Sequence, residues 1–303
     1  MKSQRRAAND ERRTSSETRR QLTIRARVAS ARQRLREAGI PPDEAELDAR
    51  LLAEFVLGWT TERYVADANE AVPPGFDSRF EALVDRRAAR EPFAYIVGRQ
   101  EFWGLSFEVT PAILIPRPET ELIVEATLQL LVDGSRPTVA DVGTGSGCVA
   151  VAIARERAST AIVATDASDL ALDVARRNAA RHGTADRIRF CCADLLDGVD
   201  GAFDVIVSNP PYVRELDRAG IQPEVAYEPP RALFAGTDGL DVIRRLLPAA
   251  AARLKPGGTL IFEFGFGQAD AVAQLISEAA HLTMVELRRD LQDIPRAAIA
   301  RRV

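Results

Sequence analysis

Apolar residues recur at helical spacing in the first third of the chain. Ile24, Val28, Ala31 and Leu35 stand three or four residues apart, and they predict a helix from about residue 17 to Gly39. Similar patterns predict three more helices: one that Pro41-Pro42-Asp43 opens and Gly58 caps, one over residues 61–66 and one over residues 76–90. No strand pattern interrupts them, so residues 17–91 are expected to form a small helical domain behind a disordered basic tail, residues 1–16.

The pattern changes after Glu91-Pro92. Residues 102–110 alternate between apolar and polar positions around Gly104, which predicts a β-hairpin in a linker over residues 92–115. Pro116-Arg117-Pro118-Glu119-Thr120 then opens a helix, because proline suits the first turn and acidic residues favour its positive end. Arg117 and Glu119 either belong to this helix start or rim a cleft between the two domains.

From residue 138 onwards, short apolar runs alternate with helical patterns. The runs predict strands at residues 138–142, 161–165, 188–192, 203–208, 259–264, 282–288 and 296–302. The helices between them are expected at residues 147–157, 168–181, 239–254 and 268–280. Such alternation is typical of the α/β class. We therefore predict a doubly wound, mostly parallel seven-stranded sheet in residues 116–303, preceded by an all-α bundle and a β-hairpin linker.

The composition is that of an ordinary globular protein, with 46% hydrophobic and 28% charged residues. No run of eighteen apolar residues occurs, and no apolar run follows the charges at the start, so we expect neither a membrane span nor a secretory signal. Cys148, Cys191 and Cys192 are odd in number and two are adjacent, which favours free thiols in a reducing cytoplasm. His182 and His281 lack metal-ligand spacing, so no metal site is expected.

Charge is distributed unevenly along the chain. Residues 1–20 carry seven basic and three acidic groups, and the remaining residues carry 33 basic and 41 acidic groups. The tail therefore has a net charge of +4 and the body one of −8. Proteins dedicated to duplex DNA present a basic face to the phosphates, so we expect no dedicated nucleic-acid binding.

A glycine-rich loop, Asp141 to Gly147, ends the first strand of the predicted sheet and opens a helix. Three glycines within five positions let the backbone turn sharply and approach a ligand closely. The spacing Gly-x-Gly-x-Gly differs from the dinucleotide fingerprint, and no lysine completes a phosphate loop. The loop therefore predicts a nucleoside-like ligand without a demand for phosphate.

The ends of the next two strands supply candidate contacts for such a ligand. Asp166 ends the second strand, where a carboxylate accepts from both ribose hydroxyls; the alternative is a helix cap by Asp166 or Ser168. Asp194 and Leu195 end the third strand. Asp194 is a candidate acceptor for the exocyclic amine of adenine and Leu195 a candidate packing surface for its ring, and either is equally well a loop residue.

The fourth strand of the predicted sheet ends in Asn209-Pro210-Pro211-Tyr212. Two successive prolines cannot donate backbone hydrogen bonds, so the strand must stop there. The Asn209 side-chain oxygen and the Pro210 carbonyl then offer two acceptors to the N–H donors of a planar amide, and Tyr212 offers an aromatic plane. A strand-ending turn with a surface tyrosine is the alternative. Residues 213–239 follow, either as a lid or as an irregular surface loop.

The chain resembles the release factor glutamine methyltransferase family (PrmC/HemK type), which belongs to the class I S-adenosylmethionine-dependent methyltransferases. The resemblance covers roughly residues 20–303 and is carried by these stretches: Pro116 to Glu121, Asp141 to Gly147, Asn209 to Tyr212, Tyr227 to Pro230, and Phe262 to Gly265 with Gln268. Asn-Pro-Pro-Tyr alone is shared with N6-adenine methyltransferases of DNA and RNA. The helical domain combined with Arg-Pro-Glu-Thr is much more specific.

The resemblance implies methyl transfer to the side-chain amide nitrogen (N5) of the glutamine in the Gly-Gly-Gln loop of class 1 peptide chain release factors, which the helical domain would dock. It assigns the methyl donor to Gly143, Thr144, Gly145, Ser146, Gly147, Asp166, Leu195 and Asn209, and the strand-end argument adds Asp194. It assigns the glutamine to Asn209, Pro210, Pro211 and Tyr212, with Arg117 and Glu119 as rim candidates. Asn209, Pro210 and Tyr212 are the candidate catalytic residues, because a weakly nucleophilic amide needs positioning more than acid–base chemistry.

Two other functions compete with this one. An N6-adenine nucleic-acid methyltransferase would call for a basic cleft and a base-recognition domain, and the acidic body shows neither. A non-catalytic translation-factor-binding module would keep the fold, but it would not need an intact glycine loop, Asp166 and Asn209. A dehydrogenase is disfavoured by the glycine spacing.

Overall fold

The computed structural model describes residues 23–132 and 135–303. The chain divides into two compact units, with the boundary between Val97 and Gly98. The predicted tail, residues 1–16, and the predicted helix start at residue 17 lie outside the described residues.

The first unit is helical throughout its regular elements. Its helices are α1 (Ile24–Glu37), α2 (Pro42–Leu57), α3 (Thr61–Asp67), α4 (Phe76–Ala88) and α5 (Phe93–Val97). The Thr23 hydroxyl caps α1 by accepting from the Ala26 N–H at 3.2 Å, and Gly58 ends α2 in the left-handed conformation. Ile24, Leu35 and Leu52 are fully buried in its core. The sequence pattern missed α5, since five residues are too few to display a helical period.

The second unit opens with a hairpin. Strands β1 (Arg99–Phe102) and β2 (Leu105–Glu108) pair in antiparallel fashion. Trp103 and Gly104 between them both have positive φ, which matches the twist of a tight two-residue hairpin. A short 3₁₀ turn, Pro118–Thr120, then leads into α6, Glu121–Leu130.

Seven strands form one sheet in the second unit. They are β3 (Thr138–Val142), β4 (Ala161–Asp166), β5 (Ile188–Cys192), β6 (Phe203–Ser208), β7 (Leu254–Glu263), β8 (Leu282–Arg289) and β9 (Pro295–Arg302). Their order is β5-β4-β3-β6-β7-β9-β8, and β9 runs antiparallel to the other six strands. The chain winds outward from β3 in both directions, so the switch point, where such sheets bind ligands, lies beside β3.

Helices cover both faces of this sheet. They are α6, α7 (Cys148–Glu156), α8 (Asp169–Arg181), α9 (Asp241–Arg253) and α10 (Ala269–Glu278). The core on one face draws on α6 and α7, and the core on the other face draws on α9 and α10. The predicted fold class, a doubly wound and mostly parallel seven-stranded sheet preceded by helices and a hairpin, is confirmed. Along the described parts of the chain, no helix combines the length and the apolar content needed to cross a membrane.

Candidate active site

The glycine loop follows β3 and forms the floor of the site. Gly143, Gly145 and Gly147 have φ of 73°, 54° and 80°, a left-handed region that other residues enter only with strain. A Cβ on Gly147 would lie 3.1 Å from the Cβ of Ala175. The absence of a side chain at Gly147 therefore lets the start of α7 pack directly against α8.

The side chain of Asp141, near the end of β3, forms hydrogen bonds to this loop and to the helix that follows it. Its carboxylate accepts from the Thr144 hydroxyl at 2.6 Å and from the Ala150 N–H at 3.2 Å. The side chain is buried, and this burial raises the pKa of Asp141 to about 6, although both hydrogen bonds oppose the rise. Asp141 therefore joins the end of β3 to the loop and to α7.

Asp166 ends β4 and faces the loop. It accepts from the Gly145 N–H at 3.0 Å and from the Ser168 N–H at 2.9 Å. Burial raises its pKa, and these N–H groups act in the opposite direction. The cap of α8 is Ser168, whose hydroxyl accepts from the Ala171 N–H. A carboxylate has about four acceptor positions, so Asp166 keeps capacity for further donors.

Asp194 and Leu195 lie beyond the end of β5. Leu195 has a φ of 54°, and its carbonyl accepts from the Thr165 hydroxyl at 2.8 Å. This bond holds Leu195 in its unusual conformation at the cleft. The Asp194 carboxylate accepts from the Arg245 guanidinium at 2.6 Å, in a pair whose side chains are both more than half exposed.

These strand ends enclose a cavity of about 280 Å³. Its lining includes the predicted residues Gly143, Thr144, Gly145, Ser146, Asp166, Asp194, Leu195, Asn209, Pro210 and Pro211. Four other predicted residues are not among those that line it: Gly147, Arg117, Glu119 and Tyr212. The structure thus brings together the candidates from four separate strand ends. The role of each one in binding stays a prediction.

Asn209 is held at the cavity by one side of its amide. Its Nδ2 donates to the Thr120 hydroxyl at 2.9 Å. Its Oδ1 is buried and accepts no hydrogen bond from any residue that the structure describes. Nor does the Pro210 carbonyl accept one within residues 23–132 and 135–303. Asn209 Oδ1 therefore calls for a donor, because buried acceptors are normally paired, and the Pro210 carbonyl is a second available acceptor at the end of β6.

A buried carboxylate stands behind this pair. Glu263, at the end of β7, is 2% exposed and accepts from the Thr120 hydroxyl at 2.7 Å and from the Tyr212 hydroxyl at 2.9 Å. Burial raises the pKa of Glu263 to about 7, although both hydroxyls oppose this. The Gln268 side chain links Tyr212 to the end of β7, because it donates to the Tyr212 carbonyl and accepts from the Gly265 N–H. Tyr212 is therefore fixed by its hydroxyl and its backbone.

A second buried carboxylate, Glu228, joins two loops near the site. It accepts from the Ile115 N–H at 3.0 Å and forms an ion pair with Arg117. Arg117 stands at the start of the 3₁₀ turn but makes no side-chain cap to it, and its role at the rim of the site stays a prediction. Residues 213–239, predicted as a lid or a loop, fold into short 3₁₀ turns around the Val213–Phe234 bridge.

Sequence reasoning gave no role to Thr120, Glu228 or Glu263. One signal was available for Glu263: a carboxylate directly after the apolar run Leu260 to Phe262, at the carboxyl end of a strand, where ligand sites gather. Thr120 and Glu228 lie in loops whose positions depend on tertiary packing, so no local pattern marks them.

Solved methyltransferases share the fold of this chain. The catalytic domain of hMettl16, in complex with an RNA hairpin of the MAT2A 3′UTR, matches with a TM-score of 0.54 at 17% identity, over 71% of this chain and 81% of that one. The 16S rRNA N2 G1207 methyltransferase of Thermus thermophilus, in complex with AdoMet and guanosine, matches with a TM-score of 0.50 at 19% identity, over 68% of this chain and 50% of that one. At such identities the likeness concerns the fold alone.

A glycine loop after the first strand of a sheet in this order, facing an acidic residue after the second, defines a class I S-adenosylmethionine-dependent methyltransferase. Two family models match, the PrmC N-terminal domain over residues 28–98 and the methyltransferase small domain over residues 120–236. Release factor glutamine methyltransferases of Bradyrhizobium diazoefficiens and Burkholderia pseudomallei are 42% and 44% identical, over 91% and 83% of this chain and 95% and 90% of theirs. The chain belongs to the release factor glutamine methyltransferase family.

Proposed function

We propose that this protein methylates the side-chain amide nitrogen (N5) of the glutamine in the Gly-Gly-Gln loop of class 1 peptide chain release factors, with S-adenosylmethionine as the donor. The observation that carries this proposal is the buried Oδ1 of Asn209, which accepts no hydrogen bond from any described residue. Asn209 lines the cavity together with Pro210, whose carbonyl is the second candidate acceptor. Two acceptors match the two N–H donors of a carboxamide. The names of the relatives point to the same substrate.

The residues around the cavity fit the donor. The left-handed glycine loop allows close approach of a ligand, and Asp166 retains acceptor positions for ribose hydroxyls. Asp194 and Leu195 would meet the adenine. When bound, S-adenosylmethionine supplies an electrophilic methyl group on a sulfonium, whose sulfur leaves uncharged. No metal is part of this proposal.

The protein would act chiefly by positioning the glutamine. A carboxamide nitrogen is a weak nucleophile, because its lone pair is delocalised into the carbonyl. Asn209 Oδ1 and the Pro210 carbonyl would accept both N–H groups and so fix the direction of the nitrogen lone pair. The same oxygens would stabilise the positive charge that grows on that nitrogen. Its surplus proton is then acidic enough to leave to water, so no dedicated base is required.

The helical unit, residues 23–97, is proposed to dock the release factor, and the acidic body supports a protein substrate over a nucleic acid. Since release factors act in translation, we place the enzyme in the cytoplasm.

The decisive experiment uses labelled S-adenosylmethionine with a class 1 release factor and with a variant of that factor whose Gly-Gly-Gln glutamine is replaced by alanine. We expect label in the natural factor alone. Equal labelling of both factors would move the target to another residue. Labelling of duplex or single-stranded nucleic acid with neither factor labelled would favour the N6-adenine alternative.

A further inference from the structure

We propose that Glu263 is a positioning residue that acts through Thr120 to decide which end of the Asn209 amide faces the methyl acceptor. This inference rests on the proposed function, since it explains how Asn209 comes to offer an oxygen there. Glu263 does not line the cavity, so it need not touch the substrate.

The direction of each hydrogen bond follows from counting protons. An ionised carboxylate only accepts, and a threonine hydroxyl has a single proton to donate. Thr120 gives that proton to Glu263 over 2.7 Å. Its oxygen can therefore only accept from Asn209, which must place its NH₂ group on the Thr120 side. The Asn209 oxygen is left to point the other way, where no described residue donates to it.

Tyr212 fixes the carboxylate itself. Its hydroxyl donates to the second oxygen of Glu263 at 2.9 Å, so each carboxylate oxygen has one donor. Thr120 and Glu263 are both nearly fully buried, at 3% and 2% exposure. Water therefore cannot readily replace these donors or randomise the direction of the bonds.

The hydrogen bonds from Asn209 to Thr120 and from Thr120 to Glu263 form a relay. A neutral amide at position 263 would reverse the direction of both bonds. In Glu263→Gln, the buried Tyr212 hydroxyl still needs an acceptor, so the new side chain would turn its oxygen to Tyr212 and its NH₂ to Thr120. Thr120 would then accept from residue 263 and donate to Asn209. The Asn209 amide would turn over and present its NH₂ to the glutamine amide, so that donor would face donor.

The first test measures kcat/KM for the release factor. We expect a loss of roughly ten-fold or more in Glu263→Gln, because the hydrogen bond between Asn209 and the substrate glutamine is replaced by two donors that face each other. The variant should remain folded, and its Kd for the donor should stay near that of the natural chain. Thr120→Val should lose activity similarly, whereas Thr120→Ser, which keeps the hydroxyl, should stay within about two-fold.

The second test separates this relay from a merely structural role. An aspartate at position 209 has an oxygen at both ends of its side chain. In the natural background, Asn209→Asp places a carboxylate oxygen against Thr120, which already donates its proton to Glu263. Two acceptors then face each other, so activity should fall. In the Glu263→Gln background, Thr120 has a proton to donate, and Asn209→Asp should restore part of the lost activity.

The effect of Asn209→Asp in the two backgrounds decides whether the relay exists. A change of sign in the effect of Asn209→Asp between the two backgrounds supports the relay, and an equal loss in both backgrounds overturns it. Full activity of Glu263→Gln or of Thr120→Val also overturns it. If Glu263→Gln does not fold, the Thr120→Val and Thr120→Ser pair decides. If the natural chain fails to methylate any release factor, the proposed function fails instead, which is a different result.

Discussion

At the scale of single residues, the site depends on atoms whose hydrogen-bonding capacity is incompletely used. Asn209 keeps one buried oxygen to which no residue in the described part of the chain donates, while its nitrogen donates to Thr120. A buried, unpaired acceptor is unfavourable in the free protein. The amide of a bound glutamine would donate to this oxygen, so substrate binding would supply the hydrogen bond that the free protein lacks.

Removal of this oxygen should stop methyl transfer. We expect Asn209→Ala to lower kcat by roughly 10²–10³-fold at saturating donor and release factor, the range found when one aligned polar group is removed from an active site. The control is Gln274→Ala, on the exposed side of α10, which should retain natural activity. Full turnover by Asn209→Ala would show that the oxygen has no role.

The raised pKa of Glu263, about 7, predicts opposite pH trends for activity and stability. The relay needs the ionised form, so kcat/KM should rise as the pH passes upward through about 7. Burial holds the folded pKa above its unfolded value, so the folded state binds more protons, and stability should fall as the pH rises from about 4.5 to about 7. The nearby charges are those of Glu119, which raises the pKa further, and Arg296, which lowers it.

Denaturant unfolding at several pH values checks the second trend, and initial rates check the first. In Glu263→Gln, both dependences should weaken. An activity profile that is flat between pH 6 and pH 8 in the natural protein would contradict the assignment.

At the scale of elements, the loop between strand β3 and helix α7 sets the geometry of the site. Strand β3 ends at Val142, and helix α7 begins at Cys148 after a loop with three left-handed glycines. Asp141 binds this loop from the strand, and Asp166 binds it from β4. The loop is thus held by two strands, which gives it a defined shape before a ligand arrives.

Gly147→Ala should disturb this junction. Its added methyl group would lie 3.1 Å from the Ala175 Cβ, and its φ of 80° is strained for alanine. We expect a loss of about 1–3 kcal/mol of stability and a weaker Kd for the donor. Gly220→Ala is the matched control, because its methyl group would meet nothing within 4 Å and its φ is not left-handed. Calorimetric titration and thermal unfolding measure both quantities; equal behaviour of the two variants would refute the argument.

At the scale of the whole molecule, the chain forms two compact units, to which the proposed function gives different roles. Residues 98–303 contain every candidate contact to the donor and to the glutamine, and residues 23–97 have their own core. Inside the helical unit, Arg87 and Asp48 form an ion pair at 2.6 Å with both side chains nearly buried. Arg87 also lies 3.8 Å from the more exposed Glu44, so loss of Asp48 would remove the closer and more buried acidic partner of Arg87.

Asp48→Ala should therefore destabilise the helical unit by about 3 kcal/mol. If this unit docks the release factor, KM for the factor should rise while the donor Kd stays unchanged, because the donor site lies in the other unit. Glu46→Ala is the control: its pair with Arg32 is exposed and should contribute less than about 1 kcal/mol. A weaker donor Kd in Asp48→Ala would contradict this division of tasks.

Local signals in the sequence predicted most of the helices and strands, the glycine loop and the end of β6. The period of the apolar residues indicated the helices and strands, because burial of one face imposes that period. Gly143, Gly145 and Gly147 marked the loop, since only glycine takes those φ values without strain. Pro210 and Pro211 marked the strand end, because neither can donate to a sheet. All of these constraints act between near neighbours in the chain.

Tertiary structure alone decided the placement of β9 between β7 and β8, and the hydrogen bonds behind Asn209. Asn209 meets Thr120 across 89 positions of sequence, and Thr120 meets Glu263 across 143. No periodicity links residues so far apart; they become neighbours only when the ends of β6 and β7 lie side by side. The sequence by itself therefore determined the kinds of element and the motifs, whereas folding determined which carboxylate orients the amide of Asn209.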